Sequence, residues 1–257
     1  MVTKLIDGKK LALEVRGAAA EAVRREGLSP GLGAVLVGDD PGSTLYVALK
    51  EKACTEAGVR FALQHLPATA SQREVEDAIN DFAGRKDING ILLQLPLPEK
   101  IDTEAAIAAV PPAKDADGFT DEAAVPSPLI QSILTLVRAS GLEHEGKTAA
   151  VYANSQTFAE RVMRRLSSLG FAGTSSNADL AIVAVGKPNW LGRAQVKEGG
   201  VVIDVGTNRV GEKVAGDADA TTLDGYLSAR TPVPGGVGPL TVAFLVRNVV
   251  ELARHQK

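Results

Sequence analysis

The chain has 257 residues, a formal charge of −3, and 45% hydrophobic against 23% charged residues, the balance of a soluble globular protein with room for one large domain or two modest ones. That charge, with no basic cluster, gives no footing for nucleic acid, and 4% aromatic residues leave little for base stacking. A single cysteine, Cys54, excludes an internal disulfide framework or a Cys-rich metal site, and there is neither a membrane-length apolar run nor a signal-peptide pattern, so a cytoplasmic protein is expected.

Taken in order, apolar spacing at Leu11, Val15, Ala18 and Ala22 predicts a helix over Lys9–Glu26. The continuous apolar run 32–37 predicts a buried strand, ended by Gly38-Asp39-Asp40-Pro41-Gly42, after which Ser43 offers an N-cap for a helix to about Ala57. Cys54 lies on that helix among apolar residues, as a buried and inert thiol would. A strand follows across Val59–Leu66, then a helix opened by the capping box Ser71-Gln72-Arg73-Glu74, then the buried strand Ile88–Leu95 stopped by Pro96 and Pro98. A connecting helix over Pro128–Ala139 leads to a second series: strand Thr148–Ala153, helix Ser155–Leu169, and strands Asp179–Val185 and Gly200–Val205. The last helix, from Leu240 to about His255, has no strand beside it in sequence and is expected to return to the first domain. Strands alternating with helices of this length imply right-handed crossovers and a mainly parallel sheet. The fold expected is α/β with two lobes and a cleft between them: residues 1–125 completed by 239–257, and a Rossmann-like lobe over 126–238 that is shortened around 153–178.

Four features carry chemistry. Tyr46 and Lys50 are one helical turn apart, on a helix that starts where a strand ends, at the carboxyl edge where open α/β sheets hold ligands. Gln94 ends the apolar strand Ile88–Leu95, and an uncharged amide there must find a partner or cost about 1–3 kcal/mol. Lys114-Asp115-Ala116-Asp117-Gly118 follows two prolines in a loop. Thr231–Gly238 (TPVPGGVG) freezes some dihedrals and frees others, letting backbone approach a flat ligand closely. A core tyrosine, a solvated lysine, an amide bonded to a nearby loop and a plain acidic turn would explain the first three equally well one at a time. The three histidines, His65, His144 and His255, have no metal-like spacing, and no metal is expected. Trp190 is expected as a surface anchor in a loop.

Together VGDDPGSTLYVALK, GILLQLPLP, PPAKDADGF, VVIDVGTN and TPVPGGVGPLTVAFL, in this order from Leu5 to Asn248, resemble the bifunctional methylene-tetrahydrofolate dehydrogenase/methenyl-tetrahydrofolate cyclohydrolase family. The resemblance implies a folate substrate between two α/β lobes, a dinucleotide on the second lobe, and a homodimer. It makes Lys50 the main catalytic group, Tyr46 its neighbour along the pterin, and Gln94 the residue that orients Lys50 and the one-carbon centre, flanked by Leu93 and Leu95. Asp117 would hold the pterin's amino and ring nitrogens, and Pro234, Gly235, Gly236 and Gly238 would line the folate site. A lysine beside a cationic substrate in a partly dry place has a lowered pKa and suits a general base.

The cofactor half departs from the pattern. Where the family has a Gly-Arg-Ser turn and then Gly and Pro, this chain has Ala153-Asn154-Ser155, Ala159 and Arg161, which leaves Ser155, with Thr207 further on, as candidate cofactor contacts. Only Phe171–Ala178 separates a helix from the next strand, too few residues for a buried strand and its crossover helix. The expectation is therefore a cyclohydrolase, with NADP-dependent dehydrogenase activity weak, altered in cofactor or absent. The alternatives are the full bifunctional enzyme, using NADP or NAD through a rearranged loop, and a non-catalytic folate-binding relative.

Overall fold

The computed structural model describes residues 2–211 and 213–256. In chain order the first half comprises β1 (Lys4–Leu5), α1 (Gly8–Glu26), β2 (Gly31–Val37), α2 (Pro41–Glu56), β3 (Arg60–Leu66), α3 (Gln72–Gly84), β4 (Gly90–Leu93) and α4 (Thr103–Ala108). The second comprises α5 (Pro128–Ser140), β5 (Thr148–Ala153), α6 (Gln156–Ser168), β6 (Ala172–Gly173), β7 (Ala178–Ala184), β8 (Val196–Asp204), β9 (Asn208–Val210), β10 (Lys213–Ala215), α7 (Ala220–Leu223), β11 (Ala229–Arg230) and α8 (Val237–His255). These elements fall into two compact units, one of Ala12–Leu129 with the chain from Thr241 onward, the other of the opening segment to Leu11 with Ile130–Leu240.

The first unit is built on a parallel sheet ordered β3-β2-β4. Every residue of the central strand β2 is buried, as a strand covered on both faces must be. The two-residue period sorts its side chains. Val35, Val37, Ile91 and Leu93 pack with α3 residues Val75, Ile79 and Phe82, while Leu32, Ala34 and Leu92 pack with Ala19, Val23, Cys54 and the α8 residues Leu245, Val246 and Val249. The capping box of α3 is present, with Ser71 accepting from the Glu74 amide and Glu74 reaching back. Helix α2 starts earlier than its sequence suggests: Asp40, not Ser43, is the cap, accepting from the Ser43 amide at 2.7 Å, and Pro41 occupies the first turn, where no N–H is needed. On α1 the buried apolar side chains are Ala12, Ala19, Ala22 and Val23, a stripe displaced from the one expected, with Ala18 exposed.

The second unit holds six parallel strands in the order β1-β11-β8-β7-β5-β6. Residues 2–11 belong here rather than with 12–125, because β1 pairs with β11 (Lys4 opposite Ala229) at this sheet's edge. Strand β6 qualifies the expectation of a lost strand–helix unit. A strand is present but only two residues long, with Ala172 opposite Thr148 and Gly173 opposite Ala149, and no helix separates it from β7. Because β6 and β7 flank β5 on opposite sides, the chain reverses its direction of travel across the sheet there, a topological switch point at the carboxyl ends of β5 and β7.

Candidate active site

Gln94 comes one residue after β4 and shares the parity of Leu92, so its side chain faces the same way, toward α2. Its Oε1 accepts from the Lys50 Nζ at 2.9 Å and its Nε2 donates to the Leu95 carbonyl at 2.6 Å, so the amide, only 7% exposed, is satisfied on both sides. Leu93 is buried and Leu95 packs against the α3-side core. Lys50 keeps part of its side chain at the surface while the ammonium end is enclosed. Burial pulls its pKa below the ordinary lysine range, and the charge of Asp117 opposes that pull. Tyr46 stands one turn earlier on α2, half-buried.

The KDADG loop assigns a task to each residue. Lys114 Nζ donates to the carbonyls of Ala83 (2.9 Å) and Arg85 (2.8 Å), closing the end of α3. The buried Asp115 accepts from the amides of Asp117 (3.1 Å) and Phe119 (2.7 Å), folding the backbone into a tight turn. Ala116 is fully buried in the α8-side core, and its carbonyl accepts from Asn248 Nδ2 of α8 at 2.9 Å. Gly118 is held at φ +56°, and a Cβ there would lie 2.6 Å from the Ser127 amide nitrogen, so only glycine fits. The remaining residue, Asp117, acts on Lys50: burial raises its carboxyl pKa and the Lys50 charge lowers it. The structure thus brings Lys50, Gln94 and Asp117 together within one unit. Asn248 was missed in the sequence, because nothing local marks a side chain whose partners lie over a hundred residues away, and Lys114 was read only as part of the loop. Cys54, one turn beyond Lys50, is fully buried and its thiol is pushed up to about 12, as an inert cysteine's would be.

The other candidates lie in the second unit. Pro234 is exposed after a cis Val233–Pro234 bond, and Gly235 (φ +114°) and Gly236 are buried behind it. A Cβ on Gly236 would sit 2.7 Å from Thr231 Cβ, and one on Gly8 would overlap the Gly236 carbonyl, so the loop lies flat against the start of α1. Gly238 is in the first turn of α8. Ser155 is exposed and caps α6, accepting from the Phe158 amide at 3.2 Å. Asn154 Nδ2 donates to the Val185 carbonyl at 2.6 Å, crossing from β5 to β7. Thr207 is exposed between β8 and β9. A helix amino end with an exposed cap at the switch point suits a phosphate-bearing ligand, so the chain's residues fit a dinucleotide there. Trp190, 40% exposed, leans on Tyr152 at 5.4 Å between ring centroids.

Two further acids shape that edge. Asp217 is fully buried and accepts from the amides of Val185 (2.6 Å), Gly186 (2.9 Å) and Lys187 (3.0 Å) and from Asn208 Nδ2 (2.7 Å). Asp204 at the end of β8 accepts from Gly206, Asp217 and Ala218 amides at 2.8–3.1 Å, and burial pushes its carboxyl pKa up to about 6. The signal for Asp204 was an acid ending an apolar run, in VVIDV, while nothing local marks Asp217. No group of three or more His, Cys, Asp or Glu side chains suited to a metal occurs among the described residues, and none of their helices is long and apolar enough to cross a membrane.

Two family models cover the chain: the catalytic domain of tetrahydrofolate dehydrogenase/cyclohydrolase over residues 6–117 and its NAD(P)-binding domain over 128–257. The bifunctional protein FolD of Geotalea daltonii is 37% identical over 99% of this chain and 100% of its own length, and that of Moorella thermoacetica is 39% identical with the same coverage. The crystal structure of the bifunctional FolD of Campylobacter jejuni superimposes with a TM-score of 0.91 at 32% identity, covering 99% of this chain and 100% of that one. The Trypanosoma brucei FolD, complexed with NADP cofactor and inhibitor, gives 0.93 at 28% identity, covering 99% and 98%. The match to the NAD(P)-binding domain does not support the expectation of weak or absent dehydrogenase activity. The missing crossover helix and the alignment of 280 positions against 257 residues mark a shortened domain, not a missing one.

Proposed function

From the premise that the chain belongs to the tetrahydrofolate dehydrogenase/cyclohydrolase family, we propose that it carries out both reactions, oxidising methylene-tetrahydrofolate with NADP and hydrolysing methenyl-tetrahydrofolate to formyl-tetrahydrofolate. The observation that carries the hydrolytic half is the 2.9 Å bond from Lys50 Nζ to Gln94 Oε1 in an enclosed setting that also feels Asp117. The methenyl bridge is an amidinium carbon. Water adds to it as Lys50, neutral at the moment of attack, takes one of the water's protons. The carbinolamine then collapses, its hydroxyl proton leaves, one nitrogen gains a proton as its bond to carbon breaks, and one proton in all is released. Gln94 fixes the amine's direction by accepting one of its N–H bonds, and Leu93 and Leu95, packed on the α3 side, anchor the strand end that carries it. Tyr46 lies along the same helix face, where it would stack on the pterin. Asp117 offers a carboxylate to the pterin's guanidine-like edge. For Pro234, Gly235, Gly236 and Gly238 the proposal is backbone contact with folate.

A bound NADP supplies the hydride acceptor that converts the methylene bridge to the methenyl one. In this chain Ser155, Asn154 and Thr207, with the backbone N–H groups at the amino end of α6, would hold it. Two assays on the purified protein test the assignment: decay of methenyl-tetrahydrofolate absorbance without nucleotide, and formation of reduced nucleotide from methylene-tetrahydrofolate and NADP. Activity is expected in both. Hydrolysis alone would return the chain to the cyclohydrolase-only alternative, and inactivity in both would leave a folate binder.

A further inference from the structure

Building on the dinucleotide assignment proposed above, we infer that this chain discriminates little between NAD and NADP, because the segment after β6 that would face the adenosine ribose carries no charge. In doubly wound sheets the end of the second strand selects the cofactor: a carboxylate there accepts from the ribose hydroxyls of NAD, whereas an arginine nearby accommodates the 2′-phosphate of NADP. The second strand of this sheet is β6, beside β5 on the side away from β7. It stops opposite Ala149, while β5 continues to Ala153, so the last four residues of β5 have no strand beside them on that side. The chain that follows is Thr174-Ser175-Ser176-Asn177, exposed apart from the half-buried Thr174.

Hydroxyl and amide groups donate and accept alike, so they bond a ribose hydroxyl or a phosphate oxygen without preferring either. The other elements at the switch point agree. Asn154 is neutral, and its amide nitrogen is committed to the Val185 carbonyl at 2.6 Å. The first turn of α6, Gln156 to Ala159, is uncharged, and Lys187 belongs to the turn after β7, on the opposite side of β5.

Calorimetric titration of the full chain with NAD and, separately, with NADP tests this directly without relying on turnover. Dissociation constants within about tenfold of each other are expected. A preference above tenfold for either nucleotide would overturn the inference while leaving the dinucleotide assignment intact. If neither nucleotide binds at millimolar concentration, the assignment itself fails and takes the inference with it. Ser175→Arg adds a cation where the ribose phosphate is placed, and should shift the ratio toward NADP at least tenfold. An unshifted ratio in a variant with wild-type melting temperature would show that the ribose does not lie against 174–177.

Discussion

On the function proposed above, the two units meet the same demand, holding a ligand at the carboxyl edge of a parallel sheet, with opposite materials. In the three-stranded unit the side chains do the work: Lys50, Gln94 and Asp117 converge, and each is held by a second group, Gln94 by the Leu95 carbonyl and the Asp117 loop by Asp115, Lys114 and Asn248. In the six-stranded unit the exposed candidates are few, and what is elaborated is the backbone, pinned by Asp204 and Asp217 through six amide bonds. Chemistry on a bound carbon needs groups placed to within tenths of an ångström, and holding a diphosphate needs mainly oriented N–H dipoles, so the second unit tolerates a shortened edge that the first would not.

The sharpest way to break this contrast is to remove the proposed base, Lys50. Lys50→Ala should cut hydrolysis by a factor of about 10²–10⁴, the usual worth of a general base, with an unchanged melting temperature. A variant hydrolysing at the wild-type rate would take Lys50 out of its role. Gln94→Leu leaves the amine in place without its acceptor and should cost about tenfold in kcat, with the pH profile displaced, which a loss of packing alone would not do. Asn248→Leu strips a donor from the buried Ala116 carbonyl and from the carbonyl of Pro126. It should lower unfolding stability by about 1–3 kcal/mol and raise KM for folate through the Asp117 loop, with nucleotide binding unaffected.

In the second unit the expected effect is on stability. Burial pushes the folded Asp204 carboxyl up to about 6, above the ordinary aspartate value of about 3.9, so between those pH values the folded protein holds a proton that the unfolded chain has lost. This group's contribution to stability is therefore present at low pH and falls by about 3 kcal/mol as pH rises from about 4 through 6. Comparing urea midpoints of the wild type and Asp204→Asn across that range should reveal the difference in slope. Parallel curves would show that Asp204 ionises normally.

Much of the frame was legible because its signals are local. The buried runs of β2 and β7 and the capping box of α3 lie in contiguous residues whose periodicity or spacing is decisive. Two-residue strands such as β1, β6 and β11 have no periodicity, and only pairing defines them. Asp40 was passed over as a cap because Ser43 matched the pattern equally well, and Pro41 decides between them only once its place in the first turn is seen. At the site, Lys50 and Gln94 were found by type and position, and their bond follows from strand parity. Lys114, Asp115 and Asn248 act by fixing other residues' backbone, a role that residue type does not announce. The lost glycines at Ala153 and Ala159 suggested a dismantled cofactor half, yet β5, α6 and β7 still form the switch point, because that arrangement depends on strand order and not on any one turn.

The pH dependence of methenyl-tetrahydrofolate hydrolysis at saturating substrate bears most directly on Lys50 as the base. The rate should climb with pH and level off at a pKa clearly below that of a free lysine, as the enclosed amine gives up its proton, and Lys50→Ala should lose that limb. A wild-type rate that is flat across this range, or that falls as the amine deprotonates, would contradict it.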